Sequence, residues 1–295
     1  MQQQLFYINA SSLPTSCALV LNDVFSNSNL HREGLDLLIA HTSDFHIFAN
    51  KPETSLVRPD AADAARKVVD DMVTFSPHID AVMITGDLAD GGSTEDYELV
   101  KDILSPIKVP IFAVPGNHDA RIGFQKAFKN KLPFLSGPKL DYVTICGNVR
   151  IIALDTLIEG QIYGGLDDEQ ISWLAALLAE TTDLLTIILM HHPAFPSAIT
   201  KLDQMALQDG YSKFEKLISS FTRPLRILSG HIHRPYQTLW NGVWCAVSGG
   251  PSFQHALTMD RDAPEPLEAK EPFSYFIHKI EETATMTVHT RYVEL

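Results

Sequence analysis

LDLLIAHTSDFH, from Leu35 to His46, is a short apolar run that stops in a cluster of polar residues. A run of that length with that ending reads as a buried strand feeding a loop. The same figure recurs downstream. Between Pro59 and Phe75 apolar residues return at helical spacing behind Asp60, a residue type suited to an N-cap. AVMIT (Ala81 to Thr85) is a second buried strand, closed by Gly86. Ser93-Thr94-Glu95-Asp96 has the form of a capped helix start, followed by Tyr97, Leu99, Val100, Ile103 and Leu104. VPIFAVPG (Val109 to Gly116) is a third strand. Strand–helix–strand–helix–strand order implies parallel pairing with helices outside.

The middle of the chain changes character. YVTIC (Tyr142 to Cys146) and VRIIALD (Val149 to Asp155) flank Gly147-Asn148, a hairpin signal. A helix follows over about Asp167–Glu180, then the buried strand LLTIILM (Leu184 to Met190). Tyr211–Phe221 is helical, and PLRILS (Pro224 to Ser229) is a strand. Beyond Pro235 strands dominate, with YQTLW and VWCAVS around Asn241-Gly242, and PFSYFIHKI and TMTVHTRYV as a C-terminal hairpin. The pattern predicts an α/β four-layer sandwich: two mixed β-sheets packed face to face, flanked by helices. Residues 35–295 form a single domain, and residues 1–34, rich in Gln, Ser and Asn and without clear period, form an N-terminal extension.

Composition narrows the function classes. At 295 residues and 45% hydrophobic, the chain is ample for a large core. Its 36 acidic against 23 basic residues give a formal net charge of -13, which disfavours broad nucleic-acid binding. No apolar run approaches the ~18 residues expected of a membrane helix. The first Lys or Arg is Arg32, so a secretory n-region is missing. Cys17, Cys146 and Cys245 are far apart and form no CxxC, which suits a reducing compartment. The expectation is a soluble cytoplasmic protein.

Five short strings, each just after a predicted strand, carry the chemistry. They are Asp44-Phe45-His46, Gly86-Asp87-Leu88-Ala89-Asp90, Gly116-Asn117-His118-Asp119, His191-His192-Pro193 and Gly230-His231-Ile232-His233. Six of the twelve histidines lie in them. Loops beyond the carboxyl ends of strands in an α/β sheet are where ligands bind, so the five are expected to converge. Imidazole with carboxylate suits Fe, Mn, Zn or Co. In an extended DxH or HxH segment residues i and i+2 point to one side and reach one metal. The glycines before Asp87, Asn117 and His231 permit sharp turns and close approach. Two cations ~3.5–4 Å apart need a shared anionic ligand, and Asp87 is the candidate bridge.

The order DxH, GDxxD, GNHD, HH, GHxH resembles the calcineurin-like metallophosphoesterase superfamily. PGNHDAR (Pro115 to Arg121), MHHPAFP (Met190 to Pro196), SGGPSFQHAL (Ser248 to Leu257) and the closing YFIHKI and VHTRYV make it most similar to the class III cyclic-nucleotide phosphodiesterase group, which also includes glycerophosphodiesterases. The resemblance implies that Asp44, His46 and His233 hold one of two divalent or trivalent metal ions, that Asn117, His191 and His231 hold the other, and that Asp87 bridges. It implies that His118 is no ligand but hydrogen-bonds the phosphoryl or leaving oxygen. His192 is either a ligand or a residue behind one. Asp90 and Asp119 either orient ligands and tie loops or are simple turn chemistry.

The expected reaction is hydrolysis of a small phosphodiester, a 3′,5′-cyclic nucleotide such as cAMP or a glycerophosphodiester, by metal-activated hydroxide attacking in line. His118 is then the candidate acid for the departing alkoxide. A broad-specificity phosphomonoesterase is the alternative within enzymes, and a non-catalytic scaffold on the same fold the alternative outside them. Substrate choice falls to the loops at 91–94, 156–165, 194–210 and 252–266, in which Gly164-Gly165 and the Pro/Asp-rich 260–266 stretch read as mobile. Phe195, Tyr163, Phe253 and His255 either line a substrate pocket or pack. The C-terminal hairpin is a candidate homodimer surface.

Overall fold

The computed structural model describes residues 36–50, 57–262 and 268–295. The expected N-terminal extension and Cys17 lie outside the described residues, as does most of the 260–266 stretch.

β1 (Leu37–Thr42), β2 (Ala81–Ile84) and β3 (Ile111–Ala113) are parallel neighbours, connected through α1 (Ala61–Thr74) and α2 (Thr94–Leu104). α1 buries Ala64, Ala65, Val68, Val69 and Met72, one stripe at helical spacing. Asp60 stands at its N-cap position but caps nothing. Its carboxylate is held instead by Arg58, at 2.7 and 2.9 Å. α2 starts on a full capping box, Ser93 Oγ accepting from Asp96 N and Asp96 accepting from Ser93 N. A short helix, α3 (Arg121–Ala127), follows the Gly116–Asp119 loop. The hairpin of β4 (Tyr142–Cys146) and β5 (Val149–Leu154) is antiparallel as expected.

β6 (Gly164–Gly165) leads into α4 (Asp168–Ala179), which has its own capping box between Asp167 and Gln170. β7 (Leu185–Met190), α5 (Thr200–Asp203), β8 (Leu207–Asp209), α6 (Tyr211–Ser219) and β9 (Leu225–Ser229) come next. Gly164-Gly165 is not a loose tip. It is buried and pairs with β8, and a Cβ at Gly164 would fall 2.4 Å from the His192 ring, so the site requires glycine for close approach. β10 (Tyr236–Trp240) and β11 (Val243–Val247) turn at Asn241-Gly242, both with positive φ. β12 (Gln254–His255) and β13 (Glu268–Ala269) pair locally, and β14 (Phe273–Ile280) and β15 (Met286–Val293) form the C-terminal hairpin.

Two mixed sheets result. One has the order β15-β14-β1-β2-β3 and the other β10-β11-β9-β7-β5-β4. In the second sheet the inner strands are parallel, with antiparallel β4 and β10 at its edges. Period-two alternation sends its side chains to two cores. Ile151, Ala153, Ile187, Leu189, Leu228 and Ala246 join a cluster with Ile39, Val82 and Met83 of the first sheet. Their neighbours Ile152, Leu154, Ile188, Met190, Ile227 and Val247 pack instead with Leu174 and Leu178 of α4 and Phe214 and Ile218 of α6. The first cluster glues sheet to sheet, and the second glues sheet to helices. The parallel arrangement puts the loops after β1, β2 and β3 at one end of the first sheet, and those after β7 and β9 at one end of the second.

Candidate metal centre

The backbone joins four of the five loops in two pairs. Asp44 N–H donates to Gly86 O (3.0 Å), His46 N–H to Asp87 O (2.9 Å) and Gly230 N–H to His191 O (3.1 Å). The two sheets are tied by His231 N–H, which donates to the Asp44 carboxylate at 3.1 Å. The expected extended DxH and HxH geometry is not what brings the side chains together. Asp44, His46, Asp87, His231 and His233 all have positive φ, between 46° and 71°. These are five of the nine such non-glycine residues among the described ones. A left-handed residue reverses the chain locally, so each ligand candidate is aimed inward from a kink. The glycines act as expected. A Cβ at Gly116 would lie 2.2 Å from Asp87 Oδ1, and one at Gly230 1.9 Å from Ser43 Oγ.

One cluster holds Asp44, His46, Asp87 and His233, all buried. His46 Nε2 lies 3.1 Å from His233 Nε2 and 3.4 Å from Asp87 Oδ2, and His233 Nε2 lies 3.4 Å from Asp44 Oδ1. The second cluster meets it at Asp87. His191 Nε2 is 3.2 Å from the same Oδ2 and 3.2 Å from Asn117 Oδ1. Asp87 Oδ1 accepts from His118 N–H (2.9 Å), leaving Oδ2 between the imidazoles of His46 and His191. Donors ~2.1 Å from a metal are about 3.0 Å apart along an octahedral edge and about 3.4 Å apart along a tetrahedral one. The observed 3.1–3.4 Å spacings therefore fit cations at both clusters.

Each imidazole is oriented from behind, which fixes the nitrogen it presents. His191 Nδ1 meets Thr85 O (2.7 Å), His233 Nδ1 meets Phe253 O (3.2 Å) and His46 Nδ1 meets Asp90 Oδ1 (2.9 Å). His231 is turned the other way, its Nε2 on Met205 O (2.9 Å), so Nδ1 is the nitrogen that remains. His192 has both nitrogens engaged, by Thr156 Oγ1 (2.8 Å) and Ile162 O (3.1 Å). Although it lies close to His191 and His231, it has no nitrogen left for a metal and buttresses their rings instead.

Asp90 and Asp119 are more than turn residues. Asp90 takes both His46 Nδ1 and His118 Nδ1, the latter at 3.2 Å. Asp119 accepts from the N–H groups of Leu88, Ala89 and Gly116 and from the Tyr97 hydroxyl at 2.8 Å. It binds the Asp87 and Asn117 loops to each other and to α2. Tyr97 lay hidden in the sequence as one more apolar-face residue of α2. Phe195 is buried, so it packs; Tyr163, Phe253 and His255 are half-buried.

Charge follows this layout. Burial raises the Asp44 carboxyl to about 6, against the pull of His191. Burial would also raise Asp87, but the charges of His191 and His46 hold it well below the usual range. Burial lowers His233 well below an ordinary imidazole, and His231 to about 3, so both are neutral and ready as donors. Burial alone would lower His191, yet the Asp87 charge raises it to about 9. A bound cation would take the place of that proton. Burial likewise opposes the charged form of His118, but its hydrogen bond to Asp90 and the Asp87 charge raise it to about 9. His118 is 43% exposed, and its Nε2 makes no hydrogen bond among the described residues.

The model of the calcineurin-like phosphoesterase family matches residues 37–235. A protein of Arcobacter nitrofigilis named "Probable glycerophosphodiester phosphodiesterase GpdQ" is 31% identical over 87% of this chain and 93% of its own length. The 3′,5′-cyclic adenosine monophosphate phosphodiesterase CpdA of Pseudomonas aeruginosa is 27% identical over 81% of this chain and 86% of its own. Among solved structures, a dimetal phosphatase from Danio rerio superimposes with a TM-score of 0.67, at 16% identity, over 87% of this chain and 96% of that one. That last likeness concerns the fold.

Proposed function

The chain belongs to the calcineurin-like phosphoesterase family, and we propose that within it this protein is a two-metal phosphodiesterase for small, singly charged diesters. It is a metal-dependent phosphoester hydrolase. The observation that carries the two-metal reading is Asp87 Oδ2, 3.4 Å from His46 Nε2 and 3.2 Å from His191 Nε2. One carboxylate oxygen thus faces two separate donor sets. Asp44, His46 and His233 would hold one ion and Asn117, His191 and His231 the other, with Asp87 shared. Iron, manganese, zinc or cobalt would suit these donors. Because the ligands come from both sheets, residues 35–295 act as one catalytic domain.

When bound, the cations would acidify water toward neutral pH and withdraw charge from the phosphoryl oxygens. The chain's own residues supply the rest. Asn117 and His118 bind the phosphoryl group at the open side of the centre. Asp90 holds the Nδ1 proton, so in the protonated imidazolium the second proton sits on Nε2, facing the mouth, and is the one that can be given up. As the water oxygen bonds to phosphorus and the ester P–O bond breaks, that proton passes to the leaving oxygen.

The diester preference rests on charge. Arg121 and Arg234, just after the Asn117 and His231 loops in sequence, are each held by a carboxylate, Asp155 and Glu271. With those two arginines neutralised, protonated His118 is the cationic side chain offered to the phosphoryl group, which suits a monoanion better than a monoester dianion. The names of the two relatives support a glycerophosphodiester or a 3′,5′-cyclic nucleotide such as cAMP as the substrate.

The test is metal-stripped protein reloaded with Mn2+, assayed on bis-p-nitrophenyl phosphate, then on glycerophosphodiesters, cAMP, cGMP and monoesters. Diesters are expected to have the higher kcat/KM. Metal uptake without turnover of any ester would refute the enzyme reading, and a preference for monoesters would refute the diester reading.

A further inference from the structure

The two halves of the centre are held differently. His191 and His231 are fixed by carbonyls of Thr85 and Met205, and their rings rest against His192. The Asp44–His46–His233 half is instead wrapped by a strap, residues 250–255, that follows β11 and so leaves the second sheet at the same end as the loops after β7 and β9. Gly250 lies directly on it; a Cβ there would fall 2.6 Å from Asp44 Cβ and 3.1 Å from His233 Nδ1. Ser252 Oγ donates to Asp44 O (2.8 Å), and His255 N–H donates to His233 O (3.2 Å). Phe253 makes two contacts with His233. Its carbonyl takes Nδ1, and its ring lies on the imidazole at 3.7 Å and 17°, with the His46 ring 5.8 Å away.

The geometry points to Phe253 as the positioning residue for the Asp44–His46–His233 metal alone, through the stacking of its ring on His233. This rests on those residues being metal ligands. A ligand imidazole needs its ring plane fixed as well as its tautomer, and orienting partners of this kind are typically worth 10–100-fold in metal affinity. The Phe253 carbonyl sets which nitrogen His233 presents. The ring sets the plane, because an imidazole stacked on a half-buried phenyl at 3.7 Å cannot rotate about χ2 without losing that contact. No contact of the strap reaches His191 or Asn117 among the described residues, so the other half should not sense the change.

The experiment is calorimetric titration of the full, metal-stripped chain with Mn2+. The wild-type chain should take up two equivalents. In Phe253→Ala one equivalent should weaken about 10–100-fold while the other stays within about threefold. Phe253→Tyr, which keeps the flat ring, should restore the wild-type curve, and Phe253→Leu, which keeps apolar bulk without it, should not. The melting temperature of each metal-free variant checks that the fold is intact. Equal affinities in Phe253→Ala and wild type would overturn the assignment, as would both equivalents weakening together or Phe253→Leu matching Phe253→Tyr. A wild-type chain that takes up no Mn2+ would instead overturn the metal-centre reading, and this assignment with it.

Discussion

His278 is the residue whose removal should improve the protein. It sits in β14, fully buried, with neither ring nitrogen hydrogen-bonded among the described residues. Its neighbours are the rings of His41 (5.6 Å), Trp244 (6.0 Å) and Phe276 (6.1 Å). Burial lowers its pKa from 6.5 to about 3. Between those values the unfolded chain binds a proton that the folded chain refuses, so stability falls as pH drops through 6.5 toward 3. By pH 5, about 1.5 pH units below 6.5 at about 1.4 kcal/mol each, the loss from this one residue is about 2 kcal/mol. His278→Leu removes that loss, and it also removes two buried polar atoms left without partners, for about 1 kcal/mol or more at neutral pH. Urea unfolding of the metal-free wild type and variant at pH 7, 6 and 5 measures both. The variant should be the more stable at pH 7, and its lead should grow by about 2 kcal/mol at pH 5. Parallel pH profiles would show that His278 is solvated or partnered in solution, and a less stable variant would show that its packing outweighs its polarity.

Asp87→Ala should abolish uptake of both metals and nearly all turnover, measured by metal analysis of the dialysed protein; retention of one ion would mean that the carboxylate serves a single site. His118→Asn should keep both metals and lose about 10²–10⁴-fold in kcat. The wild-type rate should fall as pH rises through about 9, where the His118 proton is lost. Cations beside it move that limb to lower pH, and His118→Asn should lack it; an unchanged limb would assign the acid elsewhere. Gly116→Ala places a methyl 2.2 Å from Asp87 Oδ1, so metal affinity should drop although no ligand is altered. Phe214→Ala, between α6 and the second sheet, should cost about 3–5 kcal/mol of unfolding free energy and leave the metal centre intact.

The sequence was most readable where one periodicity ran long enough to count. The five site loops were legible because each follows a strand of apolar residues, and the capping box at Ser93–Asp96 has a local signature. Pieces of two or three residues, such as β6, β8, β12 and β13, are too short to show a period. α3 was hidden because it begins directly after the Gly116–Asp119 string. Orientation was the least legible feature. Nothing in DFH or GHIH announces left-handed backbone at Asp44, His46, His231 and His233, and alternation along an extended strand is not what brings these side chains together. His41 and His278 are each a single polar residue in an apolar strand, and it is the antiparallel pairing of β1 with β14 that places them 5.6 Å apart.

The left-handed residues also bear on how the centre is built. Five non-glycine residues with positive φ represent of order 1–3 kcal/mol of strain each. Such strain persists only where the surroundings over-determine it, and here the chain's own hydrogen bonds do so. Asp44 and His46 are pinned through their own N–H groups to Gly86 O and Asp87 O, and His231 through its N–H to the Asp44 carboxylate. Asp119 clamps the Leu88, Ala89 and Gly116 amides. The donors therefore stand at metal-binding separations because the backbone holds them there, and the strain is balanced by the two cores beneath. Of the four loops expected to choose the substrate, 91–94 carries none of the hydrogen bonds that hold these residues, whereas 194–210 supplies Met205 O to His231 and 252–266 supplies the Ser252, Phe253 and His255 contacts to Asp44 and His233, so the first is the loop that can vary with least effect on the centre.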